Sequence, residues 1–457
     1  MFSTIGQIIF DNEAVAKTQD FTMGLEIEMQ RVDENGELSK EPYPSGVGDE
    51  KTNPWVTNDF LETMSEVVTP PASHALDAMH YLFGLNNALR TALSPGELLW
   101  PLSMPPALPA DLDEQRSLLA KADPSKEEYL EEWLNRHGFS EGTPSGAHIN
   151  LSIDNRVFDL VYTYLEDRFE NRIELENYMY TKIAQGFMRY RWLITYLFGA
   201  SPIAEKNYFE TGEGPANPIR SVRQSSYGFG TKFQGDYSDV QSYVDRILQG
   251  AEDGILISDY EFHGAVRFKG EGPLKDLPQS GVKYLELRML DLDPSSSVGV
   301  RTNTLRFIRL MASYFIMTPP LRPEEVGKVL ERANQMNEEV ATEIPTEISK
   351  YQTNARAFLN RLEMYANQIQ LGPEYQEEIE DLEDRIENPR TTPSARLVNH
   401  IKDDSLVEYA LIRAKRYQNS ALQSIRPFTG FDIACNLSAE DLKLQLFKGN
   451  WEPGMDK

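Results

Sequence analysis

The sequence predicts an α+β fold in which a mostly antiparallel sheet is covered by helices of uneven length. Two observations carry this. Four stretches, at about 22–33, 145–154, 255–269 and 282–292, alternate apolar and polar residues with the period of two that belongs to a half-buried strand. The segments between them place apolar residues at three- and four-residue spacing but keep no regular strand-helix-strand rhythm, so a doubly wound parallel sheet is not expected. Helices are predicted over 74–94, much of 156–197, 302–317, 323–341 and 348–386. No internal repeat or low-complexity linker divides the 457 residues, which read as one unit spanning 1–457.

The first strand is the most informative. Met23, Leu25, Ile27 and Met29 alternate with Gly24, Glu26, Glu28 and Gln30, so one set faces the core and both glutamates face the other way. Two carboxylates about 7 Å apart on a pleated face repel unless a positive group lies between them, and a divalent cation is the simplest neutraliser. In the second strand Ala147, Ile149, Leu151 and Ile153 oppose His148, Asn150 and Ser152, which adds an imidazole to a polar face. In the last, Leu285, Leu287 and Met289 alternate with Tyr284, Glu286 and Arg288, setting a carboxylate beside a guanidinium. Any one of these strands could be a half-exposed sheet edge with a solvated face. Three together, each offering oxygen or imidazole ligands, point to a sheet with a metal-binding polar face. Among the helices, the Glu-rich segment EYQEEIEDLEDRIE reads as a solvated face.

Composition narrows the partners. The 45 Lys and Arg against 71 Asp and Glu give a net charge of -26, which opposes binding to nucleic-acid phosphates or to an anionic membrane surface. An anionic substrate then needs local help from metal ions and arginines. Cys435 is the only cysteine, so neither an internal disulfide nor a cysteine-cluster metal site is available. The start of the chain lacks the pattern of a secretory signal, and the apolar runs at Trp192 to Phe198 and Phe307 to Met317 fall short of a bilayer span. A soluble cytoplasmic protein is the expectation. The glycine-bearing loops GEGPANP, SYGFGTK and KGEGP match neither the Walker nor the dinucleotide pattern, so a nucleotide would be held by metals and side chains.

GLEIEMQRVDENGELS, WVTNDFLETMSEVVTP, LLWPLSMPPALP, SGAHINLS, YRWLITYLFGASP, YLELRMLDLDPSSSVGV and ENPRTTPSARL, in this order across about residues 22 to 400, resemble the successive motifs of the bacterial glutamate-cysteine ligase family. The resemblance implies a curved antiparallel sheet of the glutamine synthetase type, with a funnel-shaped site for ATP and several Mg²⁺ ions, Mn²⁺ being an alternative. It implies ATP-dependent activation of L-glutamate as γ-glutamyl phosphate and transfer to an amine, cysteine by default, as in the first step of glutathione synthesis. Glu26, Glu28, Asp59, Glu66, His148 and Glu286 match the family's metal positions, Arg288 an arginine beside the transferred phosphoryl group, and Arg223 one that contacts the substrates. Five carboxylates and one imidazole suit a hard octahedral cation. Asp59 and Glu66 come mainly from the resemblance; residue types alone would rank Glu62 equally. Some bifunctional relatives continue into a second, glycine-adding domain, and a chain ending at Lys457 is expected to make only the first amide bond.

The acceptor side departs from the family pattern. Tyr129-Leu130 stands where Tyr-Arg is usual, Gly142 replaces a glutamine six residues ahead of the histidine, Trp133 replaces a leucine, and Phe229 a tyrosine. With Phe60 these positions are expected to line the acceptor pocket. Losing an arginine and a phenol removes donors for an acceptor carboxylate, so either other residues compensate or the acceptor is a different amine with a less polar side chain. A non-catalytic nucleotide- or metal-binding regulator is the alternative from another class. The sequence carries no signal for oligomeric state.

Overall fold

A computed structural model describes residues 2–18, 21–209, 212–228, 233–423 and 438–447. Its strands are β1 Thr22–Val32, β2 Val56–Asn58, β3 Met64–Val68, β4 Leu98–Leu99, β5 Gly146–Ser152, β6 Val266–Lys269 and β7 Tyr284–Asp291. They form an open sheet in the order β2-β3-β1-β5-β7-β6, with β4 paired to β1, and every strand pair is antiparallel. The helices are α1 Thr4–Asp11, α2 Ala75–Ala92, α3 Leu112–Ser117, α4 Pro124–His137, α5 Asn155–Leu165, α6 Arg172–Phe198, α7 Val240–Glu252 and α8 Leu277–Ser280. They continue with α9 Thr302–Met317, α10 Val326–Ala341, α11 Gln352–Gln368, α12 Pro373–Glu387, α13 Pro393–Val398, α14 Val407–Leu422 and α15 Ala439–Phe447.

Met23, Leu25, Ile27 and Met29 of β1, Ala147, Ile149 and Leu151 of β5, and Leu285, Leu287 and Met289 of β7 are all buried in one core. That core is completed by α2, α6 and α9, and the runs Trp192–Phe198 and Phe307–Met317 lie within it. Among the described residues no helix is long and apolar enough to cross a membrane. A second cluster, built around Phe60, Leu130, Trp133 and Phe139, covers the opposite, polar side of the sheet near β2 and β3.

Several expectations need correction. Of 255–269, only Val266–Lys269 is a strand, because 255–264 is spent on turns and a 3-10 turn at Asp259–Glu261. The segment 348–386 is two helices, broken where Gln370 turns to φ 57 and Pro373, which has no N–H to donate, starts afresh. The Glu-rich face of α12 is solvated as expected except at Glu378, which is 1% exposed and whose carboxyl burial raises to about 7. The short strands β2, β3 and β4 were below what alternation can signal. Among the helices not anticipated, α4 has a readable start, since Asp123 accepts the N–H groups of Ser125 and Lys126 and Pro124 occupies the first turn.

Candidate active site

The polar face of the sheet gathers the carboxylates by register. Glu28 lies directly opposite Glu66 on β3, Glu26 opposite His148 on β5, and Glu286 opposite both Asn150 on β5 and Arg267 on β6. The β5–β7 pairing slips by one residue at His148, so β7 carries an extra residue there, a bulge that turns Arg288 towards the imidazole. His148 is wholly buried and stands 3.6 Å from Glu26, 3.6 Å from Glu28 and 3.9 Å from Glu286. Two donor sets result, Glu26/His148/Glu286 and Glu28/Glu66/His148, each with its ligand atoms within 4.8 Å of one another. The Asn150 amide donates to Glu26 at 2.7 Å and the Gly146 N–H to Glu28 at 2.6 Å, fixing both carboxylates.

Charge is unevenly balanced along this row. Burial works to raise the Glu286 pKa, but Arg288, Arg267 and Lys269 outweigh it and hold the carboxyl well below its usual range. Arg288 contacts Glu286 directly, and Lys269 lies at 3.3 Å and Arg267 at 3.6 Å. At the other end, burial together with Glu26, Asp59 and Glu28 pushes Glu66 well above the ordinary carboxylate value. Glu28 is raised too, by burial and by Asp59, against the pull of His148. Like charges facing each other across buried strands are what a cation would relieve, and the donors, carboxylate oxygens with one imidazole, are those a hard divalent ion accepts.

Asp59 lies outside the two donor sets but its field reaches Glu28 and Glu66, and it lines the adjoining cavity. Glu62, its rival by residue type, instead accepts the Lys121 N–H at an exposed position. Arg223 reaches the row from a loop tied down by Asp291, which accepts from the Ala200 N–H and from the Ser201 and Ser221 hydroxyls at 2.7–2.8 Å. Its guanidinium donates to the carbonyls of Arg288 and Leu290 at 3.2 and 3.0 Å and passes 3.5 Å from His148. A Cβ at 146 would stand 2.0 Å from the Arg223 guanidinium, so any side chain there would have to displace it.

Beside Glu28 and Arg288 opens a cavity of about 100 Å³ that brings together Phe60, Tyr129, Leu130, Trp133, Gly142 and Arg223. Tyr129 and Leu130 stand four and three residues before Trp133 on α4, so each neighbours it on the helix surface. Leu130 and Trp133 are 3% and 4% exposed. A Cβ on Gly142 would meet the Phe60 ring at 2.5 Å, so the ring occupies the space that a longer side chain would need. Phe229 lies outside the described residues.

Sequence reasoning missed Lys126, Arg267, Lys269 and His263. Lys126 is four residues before Leu130 on the same helix face, lines the cavity, and donates to the Asn58 carbonyl at 3.2 Å. Its spacing from Leu130 was available to a helical reading of 124–137. Arg267 and Lys269 alternate with Val266 and Phe268 inside the predicted 255–269 strand, but their place beside Glu286 comes from the pairing of β6 with β7. His263 packs edge-on against Trp133 at 5.5 Å, a tertiary contact with no local signature.

The sequence profile described as glutamate-cysteine ligase matches residues 7–336. The chain belongs to the glutamate-cysteine ligase family. The glutathione biosynthesis bifunctional protein GshAB of Streptococcus thermophilus (strain CNRZ 1066) is 32% identical over 418 residues, covering 91% of this chain and 54% of its own. That of Lactiplantibacillus plantarum is 33% identical over 444 residues, covering 96% and 57%. The chain thus spans about half the length of the curated relatives it matches. The crystal structure of a bifunctional glutathione synthetase from Pasteurella multocida superposes with a TM-score of 0.83 at 28% identity, over 92% of this chain and 55% of that one. The glutamate-cysteine ligase of Francisella tularensis, solved with AMP, gives 0.78 at 22% identity over 94% and 93%, a likeness of fold.

Proposed function

We propose that this member of the glutamate-cysteine ligase family is an ATP-dependent ligase that activates the γ-carboxylate of L-glutamate and joins it to an amine, cysteine by default, as a first step of glutathione synthesis. The observation that carries the reading is the row of buried carboxylates around His148, with Arg288 and Arg223 beside it and a cavity next to both. We assign Glu26, Glu28, Glu66, His148 and Glu286, with Asp59 alongside, to hold Mg²⁺ or Mn²⁺. When bound, the ion neutralises phosphate oxygens so that an anionic carboxylate can approach them.

A γ-carboxylate oxygen attacks the terminal phosphorus of ATP, the bond to the bridging oxygen breaks, and ADP leaves. Arg288 meets the charge that moves onto the phosphoryl oxygens. Burial opposes the charge on Arg288, but Glu286 and Glu28 outweigh it and raise its pKa above the ordinary value, so the guanidinium stays cationic throughout. Arg223, held by two carbonyls, keeps a second guanidinium within reach of the substrates. The acceptor nitrogen then attacks the acyl phosphate carbon, the bond to the phosphate oxygen breaks, and inorganic phosphate departs with the proton that the amine loses as the amide forms. Phe60, Leu130 and Trp133 exclude water from the cavity in which we put the acceptor. Lys126 supplies the positive charge that the missing arginine at 130 would have brought to an acceptor carboxylate, which favours an amino acid over a simple amine. We take the chain as one catalytic unit acting in the cytoplasm.

ADP release with L-glutamate, Mg²⁺-ATP and a panel of amines, with product masses, tests this. Release that requires glutamate and yields a γ-glutamyl amide is expected. No release with any amine would reject the reading in favour of a binding protein, and a strong preference for a non-cysteine amine would replace the default acceptor.

A further inference from the structure

On the other side of the sheet from the carboxylate row, α6, α9 and α11 enclose a half-open cavity of about 300 Å³. Lys182, Gln185, Gly186, Arg189 and Tyr190 present one stripe of α6 to it, at the three- and four-residue spacing of a single helix face. Arg361 and Tyr365 do the same from α11, and Tyr314 and Phe315 from α9. Gly186 lets the walls close, since a Cβ there would meet the Phe315 ring at 2.4 Å. The lining contains two arginines and a lysine but no aspartate or glutamate. In a chain of net charge -26, that local excess runs against the composition and asks for a counterion.

The three basic side chains are held by neutral groups. Lys182 is 5% exposed, and among the described residues its side-chain nitrogen donates only to the Ser3 hydroxyl at 3.1 Å and the Ile316 carbonyl at 2.5 Å. Arg361 donates to the Tyr190 hydroxyl at 3.2 Å and lies over the Phe358 ring at 5.4 Å. Arg189 lies over the Tyr190 ring at 5.3 Å. Among the described residues none of the three has a carboxylate within ion-pair distance; Glu325, which the Arg189 field reaches, is bonded to Arg322. A buried ammonium without an anion is costly unless something supplies one.

We propose that this cavity binds a small aromatic anion, a ring carrying one carboxylate or phosphate head, at a site separate from the carboxylate row. The head pairs with Lys182 and the two guanidiniums, and the ring lies among Phe2, Tyr190, Tyr314 and Phe315. The site is independent of the reaction proposed above.

Isothermal titration of the full chain with phenyl phosphate and with benzoate tests it, with benzyl alcohol and inorganic phosphate as ring-only and head-only controls. Saturable binding of at least one aromatic anion is expected, with both controls weaker. Arg361→Gln, a change at an exposed helix position, and Lys182→Met should each weaken it by roughly tenfold or more, the loss of one charge-assisted hydrogen bond. Binding should persist in Glu286→Gln. The proposal is overturned if neither aromatic anion binds, if inorganic phosphate binds as well as phenyl phosphate, or if Arg361→Gln leaves the affinity unchanged.

Discussion

Replacing Lys126 with methionine asks whether the cavity beside α4 recognises a carboxylate. The side chain keeps its apolar stem and loses only the ammonium, whose one bond among the described residues is to the Asn58 carbonyl at 3.2 Å. Stability should therefore change by no more than about 1 kcal/mol, the net worth of such a bond. If the ammonium pairs with the acceptor, the loss is that of a hydrogen bond to a charged group, about 1.5–3 kcal/mol. At 1.36 kcal/mol per decade this is about 10- to 150-fold in kcat/KM for the acceptor. The lower part of that range applies, because Lys126 is only half-buried and water screens it. The assay is ADP release at saturating glutamate and Mg²⁺-ATP, with L-cysteine and L-2-aminobutyrate as carboxylate-bearing acceptors and cysteamine as their counterpart without one. The first two should lose efficiency while cysteamine and the KM for glutamate hold. Equal losses on all three acceptors, or none on any, would refute the assignment.

Glu286→Gln should abolish Mg²⁺-dependent turnover while circular dichroism and melting stay near the parent, since volume is kept and one metal-facing charge is lost. Arg288→Lys should slow the chemical step by orders of magnitude in single-turnover assays with little change in glutamate affinity, because an ammonium lacks the planar fork; lost stability at an unchanged rate would make Arg288 a structural partner of Glu286. Gly142→Gln should destabilise the fold by roughly 1–3 kcal/mol in denaturant titration, as overpacking against Phe60 does, and Phe60→Ala in the same chain should recover much of that loss. Burial lowers the Lys182 pKa from 10.5 to about 7, so between those values the unfolded chain holds a proton that the folded chain does not. Its contribution to stability therefore rises with pH from about 7 to 10.5 and is most unfavourable below 7. Lys182→Met should remove that slope, its advantage over the parent shrinking as pH rises; an unchanged slope in pH-resolved denaturation would contradict the burial argument.

Much of the candidate site was legible because a strand writes its faces into the sequence. Alternation alone nominated Glu26, Glu28, His148, Glu286 and Arg288, since a period of two leaves each side chain only two directions. The core faces of β1, β5 and β7 followed from the same rule, as did the longer helices from theirs. Asp59 and Glu66 needed the family resemblance, because β2 and β3 are three and five residues long and too short to show a pattern. The resemblance also chose Asp59 over Glu62, and the turn between those strands separates the two, with Asp59 lining the cavity and Glu62 accepting the Lys121 N–H.

Other features exist only once distant segments meet. The sequence marks Gly142 as a departure, yet its reason is the Phe60 ring, eighty-two residues away, pressed against it. It marks Leu130 as a lost arginine, yet burial among Phe60 and Trp133 means that restoring the arginine would bury a charge, while Lys126 stands one helical turn earlier. The bulge that turns Arg288 to His148 is a slip in pairing between β5 and β7, and neither strand encodes it alone. Likewise Lys182, Arg189 and Arg361 look like scattered surface charges in the chain, because what sets them apart is that no carboxylate among the described residues folds to meet them. Periodicity determines which way a side chain points from its own backbone. What it points at is decided by packing, which no local pattern records.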